Sequence, residues 1–204
     1  MREILDRIAG LGPGRRIVAI VGAPGSGKST LAARLAAGLA DAALVPMDGF
    51  HLDNRLLEAE GLRGCKGAPQ TFDAAGFVAL VQRLKAGGEV VHPVFDRGLD
   101  LSIAGAGRVE AATRLVLVEG NYLLLDRTPW RKLAGLWDLS VMLDVPMEEL
   151  RRRLTARWQG LGRSPAEVMA HLENDLGNAE LVLRESLPAD LLVRPAAMSS
   201  AGTP

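Results

Sequence analysis

The chain has a single cysteine, Cys65, among its 204 residues. An internal disulfide framework is thereby excluded, and a lone thiol fits a reducing compartment. Charge of neither sign is in excess, since Lys plus Arg total 24 and Asp plus Glu total 24. No global field therefore draws the chain to nucleic acid or to an anionic membrane. Nor does any stretch reach the roughly 20 uninterrupted apolar residues that a spanning helix needs. The opening run Met1-Arg-Glu-Ile-Leu-Asp-Arg-Ile8 carries acids and lacks an apolar signal core, which argues against export. Internal repeats and Pro-, Gly- or Ser-rich linkers are also missing. What remains is a cytoplasmic, soluble domain over residues 1–194, followed by a small polar tail, 195–204, expected to be flexible.

One segment carries far more information than the rest. Gly22-Ala23-Pro24-Gly25-Ser26-Gly27-Lys28-Ser29, followed by Thr30, spells G-x-x-x-x-G-K-S. It lies between a buried-strand pattern, Arg15–Val21, and a helix pattern with Leu31, Leu35 and Leu39 on one face. In that setting the backbone N–H groups of the loop wrap around phosphates, and the helix N-terminus adds its positive end. Lys28 is placed to reach the β- and γ-phosphates and the Ser29 hydroxyl to take one Mg²⁺ position. ATP and Mg²⁺ are the ligands this loop implies.

Strand and helix patterns alternate through the rest of the chain. Ala43–Asp48, Arg114–Glu119, Leu139–Asp144 and Asp190–Val193 are short apolar runs, as a parallel sheet covered on both faces requires. Asp73 is placed to cap a helix bearing Phe77, Leu80, Val81 and Leu84 and stopped by Gly87-Gly88. Pro146 suits the first position of a helix over Met147–Trp158, with Asp144 as its expected cap. Ser164-Pro-Ala-Glu167 has capping-box spacing. The fold class is α/β with right-handed crossovers, and ligands belong at the carboxyl ends of the strands.

Asp48 ends the second strand. It is placed to accept the proton of an attacking hydroxyl or to hold Mg²⁺ through water, against the reading of a solvated turn carboxylate. Glu119 is a second candidate for the metal's water shell, against a helix-capping role. Arg151, Arg152, Arg153, Arg157 and Arg163 suggest a mobile arginine lid, with Arg157 the first choice as phosphate stabiliser. Some of them are equally explained by ion pairs such as Glu149–Arg153.

Residues 90–104 read as a β-hairpin flap carrying Asp96 and Arg97, which either read the acceptor or brace the flap. His51 is a pocket-lining candidate or a structural histidine. Asn174 and Asn178 are contact candidates, although Gly177-Asn178 also reads as a helix break. Trp130, Trp137 and Trp158 read as core. Cys65 has no partner to make it reactive.

Together these residues resemble the P-loop small-molecule kinases that include pantothenate kinase, uridine kinase and phosphoribulokinase. The resemblance rests on Gly22–Ser29, Asp48-Gly-Phe-His51, Lys66-Gly-Ala-Pro-Gln-Thr-Phe-Asp73, Pro93-Val-Phe-Asp-Arg97, Val118-Glu-Gly-Asn121 and Arg153/Arg157. It implies a five-stranded parallel sheet with helices on both faces and a lid. It also implies Asp48 as catalytic base, Lys28 and Arg157 on the phosphates, Ser29 and Glu119 beside Mg²⁺, and Asn121 among the substrate-facing residues. Two departures concern the acceptor. Gly67-Ala-Pro69 stands where uridine kinases have Asp-His-Pro, and Asp96-Arg97 stands where pantothenate kinases carry a histidine. The short bacterial kinases linked by name to a fructose transport system resemble the chain better, through Pro93–Arg97 and Glu173–Val182.

The expected activity is ATP-dependent phosphorylation of a small-molecule hydroxyl on a sugar such as fructose, or on a pantothenate-, nucleoside- or glycerate-like acceptor. The alternative is a nucleotide-hydrolysing switch or regulatory ATPase with no such acceptor. A guanine-reading Asn-Lys-x-Asp motif is absent, which argues against a GTPase switch. The sequence leaves a homodimer open.

Overall fold

A computed structural model describes residues 1–194, so the tail at 195–204 lies outside the described residues. In chain order the elements are α1 (Arg2–Ala9), β1 (Arg16–Gly22), α2 (Lys28–Gly38) and β2 (Ala42–Pro46). A 3-10 turn (Met47–Phe50), α3 (Asn54–Ala59), α4 (Ala74–Ala86), β3 (Val90–Asp96) and β4 (Leu101–Val109) follow. The chain continues through β5 (Leu115–Gly120), β6 (Leu139–Leu143), α5 (Met147–Gly160) and α6 (Pro165–Glu185) to β7 (Leu191–Val193).

Five strands form one parallel sheet in the order β2-β5-β1-β6-β7. Residues Ile17 to Val21 are wholly buried because successive side chains enter opposite layers. Ile17, Ala19 and Val21 meet Val116, Val118 and Phe77, Val81 and Leu84 of α4, with Trp130 behind them. Val18 and Ile20 meet Ala32 and Leu35 of α2 and Ile4 of α1. A strand buried on both faces is apolar throughout, which is how β1 reads. Each large side chain fully buried here contributes about 1.5–3 kcal/mol.

A third apolar cluster joins α5 to α6. Leu150 and Leu154 pack against Leu172, Leu176 and Ala179, and the pair closes over Ala23 and Val145. This helical hairpin sits directly on the loop after β1: a Cβ on Gly25 would lie 3.0 Å from Leu154 Cγ. The β3–β4 hairpin forms a separate two-stranded flap, running to Val109, beyond the expected end at 104. Its strand β3 presses on the 3-10 turn, since a Cβ on Gly49 would lie 2.3 Å from the Pro93 carbonyl oxygen.

Local signals worked where the cap lies next to its helix. The Asp73 carboxylate accepts from the Gly76 N–H at 2.8 Å, and Gly87 ends α4 with φ +92°. Ser164 and Glu167 form the reciprocal capping box of α6. Other expectations are corrected. Pro146 is the N-cap of α5, with Met147 the first helical residue. Asp144 does not cap that helix; it lies too far upstream and accepts from Arg194 Nε at 2.8 Å. Gly177-Asn178 does not break α6, which runs uninterrupted. Leu172, Leu176 and Ala179 hold the packed face, and a helical glycine costs only about 1 kcal/mol. Trp130 is core and Trp137 packs against it, but Trp158 belongs to the α5–α6 hairpin. Among the described residues no helix is long and apolar enough to cross a membrane.

Candidate active site

The loop between β1 and α2 has its backbone set by glycine. Gly25 and Gly27 have φ of +78° and +92°, a region that side-chain-bearing residues rarely adopt. Gly27 is also the N-cap of α2 and offers no side chain to the helix's first N–H groups. Those donors, which every helix leaves without an internal partner, are thus available to an anion. The Ser26 hydroxyl is buried inside the loop without a hydrogen-bond partner. An open helix terminus, a left-handed glycine pair and an orphaned hydroxyl in one turn fit a bound phosphate chain. Gly22 through Thr30 form this cradle in one unbroken run.

Strand register brings the acids to the same edge. Glu119 lies opposite Ile20 of β1 and Pro46 of β2, two residues before Asp48. It is 5% exposed, and its carboxylate accepts from the Ser29 hydroxyl at 3.2 Å. Burial pushes the Glu119 carboxyl above its ordinary range, opposed by the positive charge of Lys28 and the Ser29 bond. Asp48 adds its negative charge to the same carboxyl, so Lys28, Ser29, Asp48 and Glu119 share one electrostatic neighbourhood. No group of three or more His, Cys, Asp or Glu side chains among the described residues encloses a metal. Ser29 and Glu119 offer oxygen donors, the type Mg²⁺ takes alongside waters and substrate phosphates.

The arginines divide differently from the expectation. Arg153 donates to the Gly25 and Ser26 carbonyls at 3.4 and 3.2 Å and to Glu149 at 2.7 Å. Arg157 instead lies over the Trp158 ring, 4.9 Å from its centroid. Trp158 stacks on His171 at 4.1 Å and donates its indole N–H to Asp175 at 2.9 Å. Burial raises the Asp175 carboxyl, while Arg157, His171 and Lys28 pull it down. Arg153 thus lies against the loop after β1, while Asp175 is held by Trp158 within the α5–α6 hairpin. Arg153 is among the candidate lid arginines, whereas nothing in the spacing of Asp175 separates it from an ordinary polar helix face.

Across from the phosphates, the segment Lys66–Asp73 acts as a wall held by its own motif. The Tyr122 hydroxyl donates to the Gly67 carbonyl at 2.6 Å, Asn174 donates to the Lys66 carbonyl at 2.9 Å, and Thr71 accepts from the Gly67 N–H. Phe72 stacks on His51, with ring centroids 4.0 Å apart, and meets Tyr122 and Trp130 edge-on. Burial pulls the His51 imidazole down to about 4, so it is neutral at pH 7. Its Nδ1 is buried without a partner, as is Asn121 Oδ1. Two of the expected substrate-facing residues therefore carry unspent polar atoms at the site.

Asp96 and Arg97 do not act as a pair. The Asp96 carboxylate accepts from the Gly98 and Leu99 N–H groups at 2.8 and 2.9 Å, bracing the flap's own turn. The bracing alternative describes Asp96, because its side chain is turned back into the hairpin. Arg97 reaches the other way and donates to Asp48 Oδ2 at 2.7 Å. At the flap's end Asp100, with φ +53°, accepts from Lys66 and Asn54 at 2.8 and 2.9 Å. No sequence motif joins Asn54 to Asp100, which lie 46 positions apart.

Comparison with known proteins fits this arrangement. No family model matches the chain. It is 49% identical to a solved structure from a Silicibacter species, provisionally named a fructose transport system kinase. That match covers 94% of this chain and 96% of the other, with a TM-score of 0.87. The Escherichia coli protein YggC, itself uncharacterized, is 38% identical over 200 residues, covering 94% of this chain and 83% of its own. A Schizosaccharomyces pombe protein provisionally named a uridine kinase is 33% identical over 195 residues, covering 88% and 83%. The chain belongs to the P-loop small-molecule kinases that include these uridine kinase-like proteins and the pantothenate kinases, and it is an ATP-dependent phosphotransferase.

Proposed function

We propose that the protein transfers the γ-phosphoryl group of ATP to a hydroxyl of a small metabolite, with Asp48 as the base. The observation that carries this reading is the position of Asp48. It follows β2 at the carboxyl edge of the sheet, in the electrostatic neighbourhood of Lys28 and Glu119 and directly under the flap. The acceptor hydroxyl oxygen forms a bond to the γ-phosphorus while the bond to the β-phosphate oxygen breaks. ADP leaves with that electron pair, and the hydroxyl proton passes to Asp48.

Lys28, the open N–H groups of α2 and an arginine of the α5–α6 hairpin offset the charge spread over the phosphoryl oxygens. Arg153 already touches the phosphate loop, and Arg157 lies one turn further along the same helix. Mg²⁺, held near Ser29, Glu119 and Asp48, supplies further charge neutralisation when bound. His51 and Asn121 face the acceptor. Related proteins carry sugar, nucleoside and pantothenate in their names.

The test is ADP release from ATP-Mg²⁺ against a panel of sugars, nucleosides and hydroxy acids, beside an Asp48→Asn control. Acceptor-dependent release, lost in the variant, supports the kinase reading. Hydrolysis indifferent to every acceptor would favour a switch or regulatory ATPase.

A further inference from the structure

The ion pair between Arg97 and Asp48 lies where the acceptor hydroxyl must go. Asp48 has 24% of its side chain exposed and Arg97 66%, so the guanidinium reaches in from the open side. The base of that side chain is fixed. Asp96 braces the turn from within, and Asp100 is tied to Lys66, Asn54 and Arg63. Lys66, with 11% of its side chain exposed, lies 5.0 Å from the centre of the Phe95 ring, beneath the flap. Each cation around the pocket has an acid beside it: Lys66 pairs with Asp100, Arg63 lies between Asp100 and Glu58, and among the described residues Arg97 pairs with Asp48 alone.

Catalysis upsets that balance. An aspartate whose Oδ2 holds a guanidinium proton is poorly placed to take one from a hydroxyl. Once it does take the proton, Arg97 has no counter-charge. A guanidinium matches planar oxyanions, and most of its donors have no protein partner among the described residues. We infer that Arg97 selects an acceptor bearing its own oxyanion, a carboxylate or a phosphate close to the reacting hydroxyl. That group takes Arg97 from Asp48 and frees the base. The inference rests on the kinase reading above and narrows it to acidic acceptors. It also gives the acceptor-free enzyme a reason to spare ATP, because the base stays occupied until an acid displaces it.

The test pairs acidic and neutral acceptors in ADP-release kinetics. Glycerate and gluconate form the carboxylate arm, a fructose monophosphate forms the phosphate arm, and glycerol, glucose and fructose are the neutral controls. In the unmodified protein at least one acidic arm should exceed its neutral counterpart in kcat/KM by about 30- to 100-fold. Arg97→Gln should erase most of that preference and raise hydrolysis of ATP without acceptor. Arg97→Lys should restore part of the preference. A loss caused by a disturbed flap would instead depress acidic and neutral acceptors alike, which overturns the inference. Equal use of acidic and neutral acceptors in both arms overturns it too, with the kinase reading intact. If neither acidic arm stimulates ADP release while a nucleoside or another neutral acceptor does, the inference falls and the kinase reading stands.

Discussion

One unbroken run, Gly22–Thr30, forms the phosphate loop, whereas Asp48, His51, Lys66, Arg97, Asn121 and Asn174 come to the wall and flap beside it, the proposed acceptor side, from scattered segments. On the phosphate side the groups offered are mainly backbone N–H, fixed by glycine conformation and by a helix terminus. On the acceptor side they are side chains, fixed by one another through Lys66–Asp100, Phe72–His51 and Arg97–Asp48. A backbone cradle serves any nucleoside triphosphate and needs little else to specify it. A side-chain wall can change its ligand with one or two substitutions.

The largest expected effect would separate the two halves. Asp48→Asn should lower kcat by about 10³-fold, the scale of removing a general base, while ATP affinity stays within about twofold. Equilibrium binding of a fluorescent ATP analogue beside turnover reads both quantities. If ATP binding collapses with kcat, Asp48 acts chiefly through Mg²⁺ and the phosphates rather than as the base for the acceptor.

A pH titration probes the acceptor wall. His51 titrates at 6.5 in the unfolded chain and at about 4 when buried, so between those values the unfolded state holds the extra proton. Stability is therefore lost as pH falls through that window, by at most about 3 kcal/mol in total. Urea melts at pH 7 and pH 4.5 should show the loss, and His51→Gln should flatten the difference. An unchanged slope would mean that His51 is not buried as described.

Gly49→Ala addresses the seating of the flap. Its Cβ would lie 2.3 Å from the Pro93 carbonyl, and backbone on both sides leaves no soft partner to yield. The cost should be about 1–3 kcal/mol of stability, with the acceptor KM raised and ATP binding kept. Thermal melts and acceptor titrations check this. A rise in the KM for ATP would show that the halves are coupled.

The smallest effect concerns the helical hairpin. Trp158→Phe keeps the stack on His171 but removes the indole donor to Asp175. About 1–2 kcal/mol should be lost, since a buried carboxylate loses a hydrogen bond. The change should appear in ATP kinetics and leave acceptor preference alone.

The contrast between the halves also marks what could be read in advance. The sheet was legible strand by strand because burial on both faces leaves an apolar run whatever its neighbours are. The loop Gly22–Ser29 and the caps at Asp73 and Ser164 were legible because each is closed within a few residues. Asp144 and Gly177-Asn178 misled for the complementary reason. A cap or break signal says what a residue can do locally, and Arg194 and the α5–α6 packing decided otherwise.

By itself the sequence determined the α/β alternation, the phosphate cradle and Glu119 near the end of β5, all consequences of short-range backbone physics. Asp48, expected to end the second strand, stands two residues past β2 in a 3-10 turn. Tertiary structure alone decided that Arg153 rather than Arg157 meets the loop, that Asp96 turns inward, and that Arg97 lies on Asp48. Arg97 and Asp48 are 49 positions apart, and Lys66 and Asp100 are 34 apart. Such pairs leave no periodicity or spacing to read, because their meeting depends on the path of the whole chain between them.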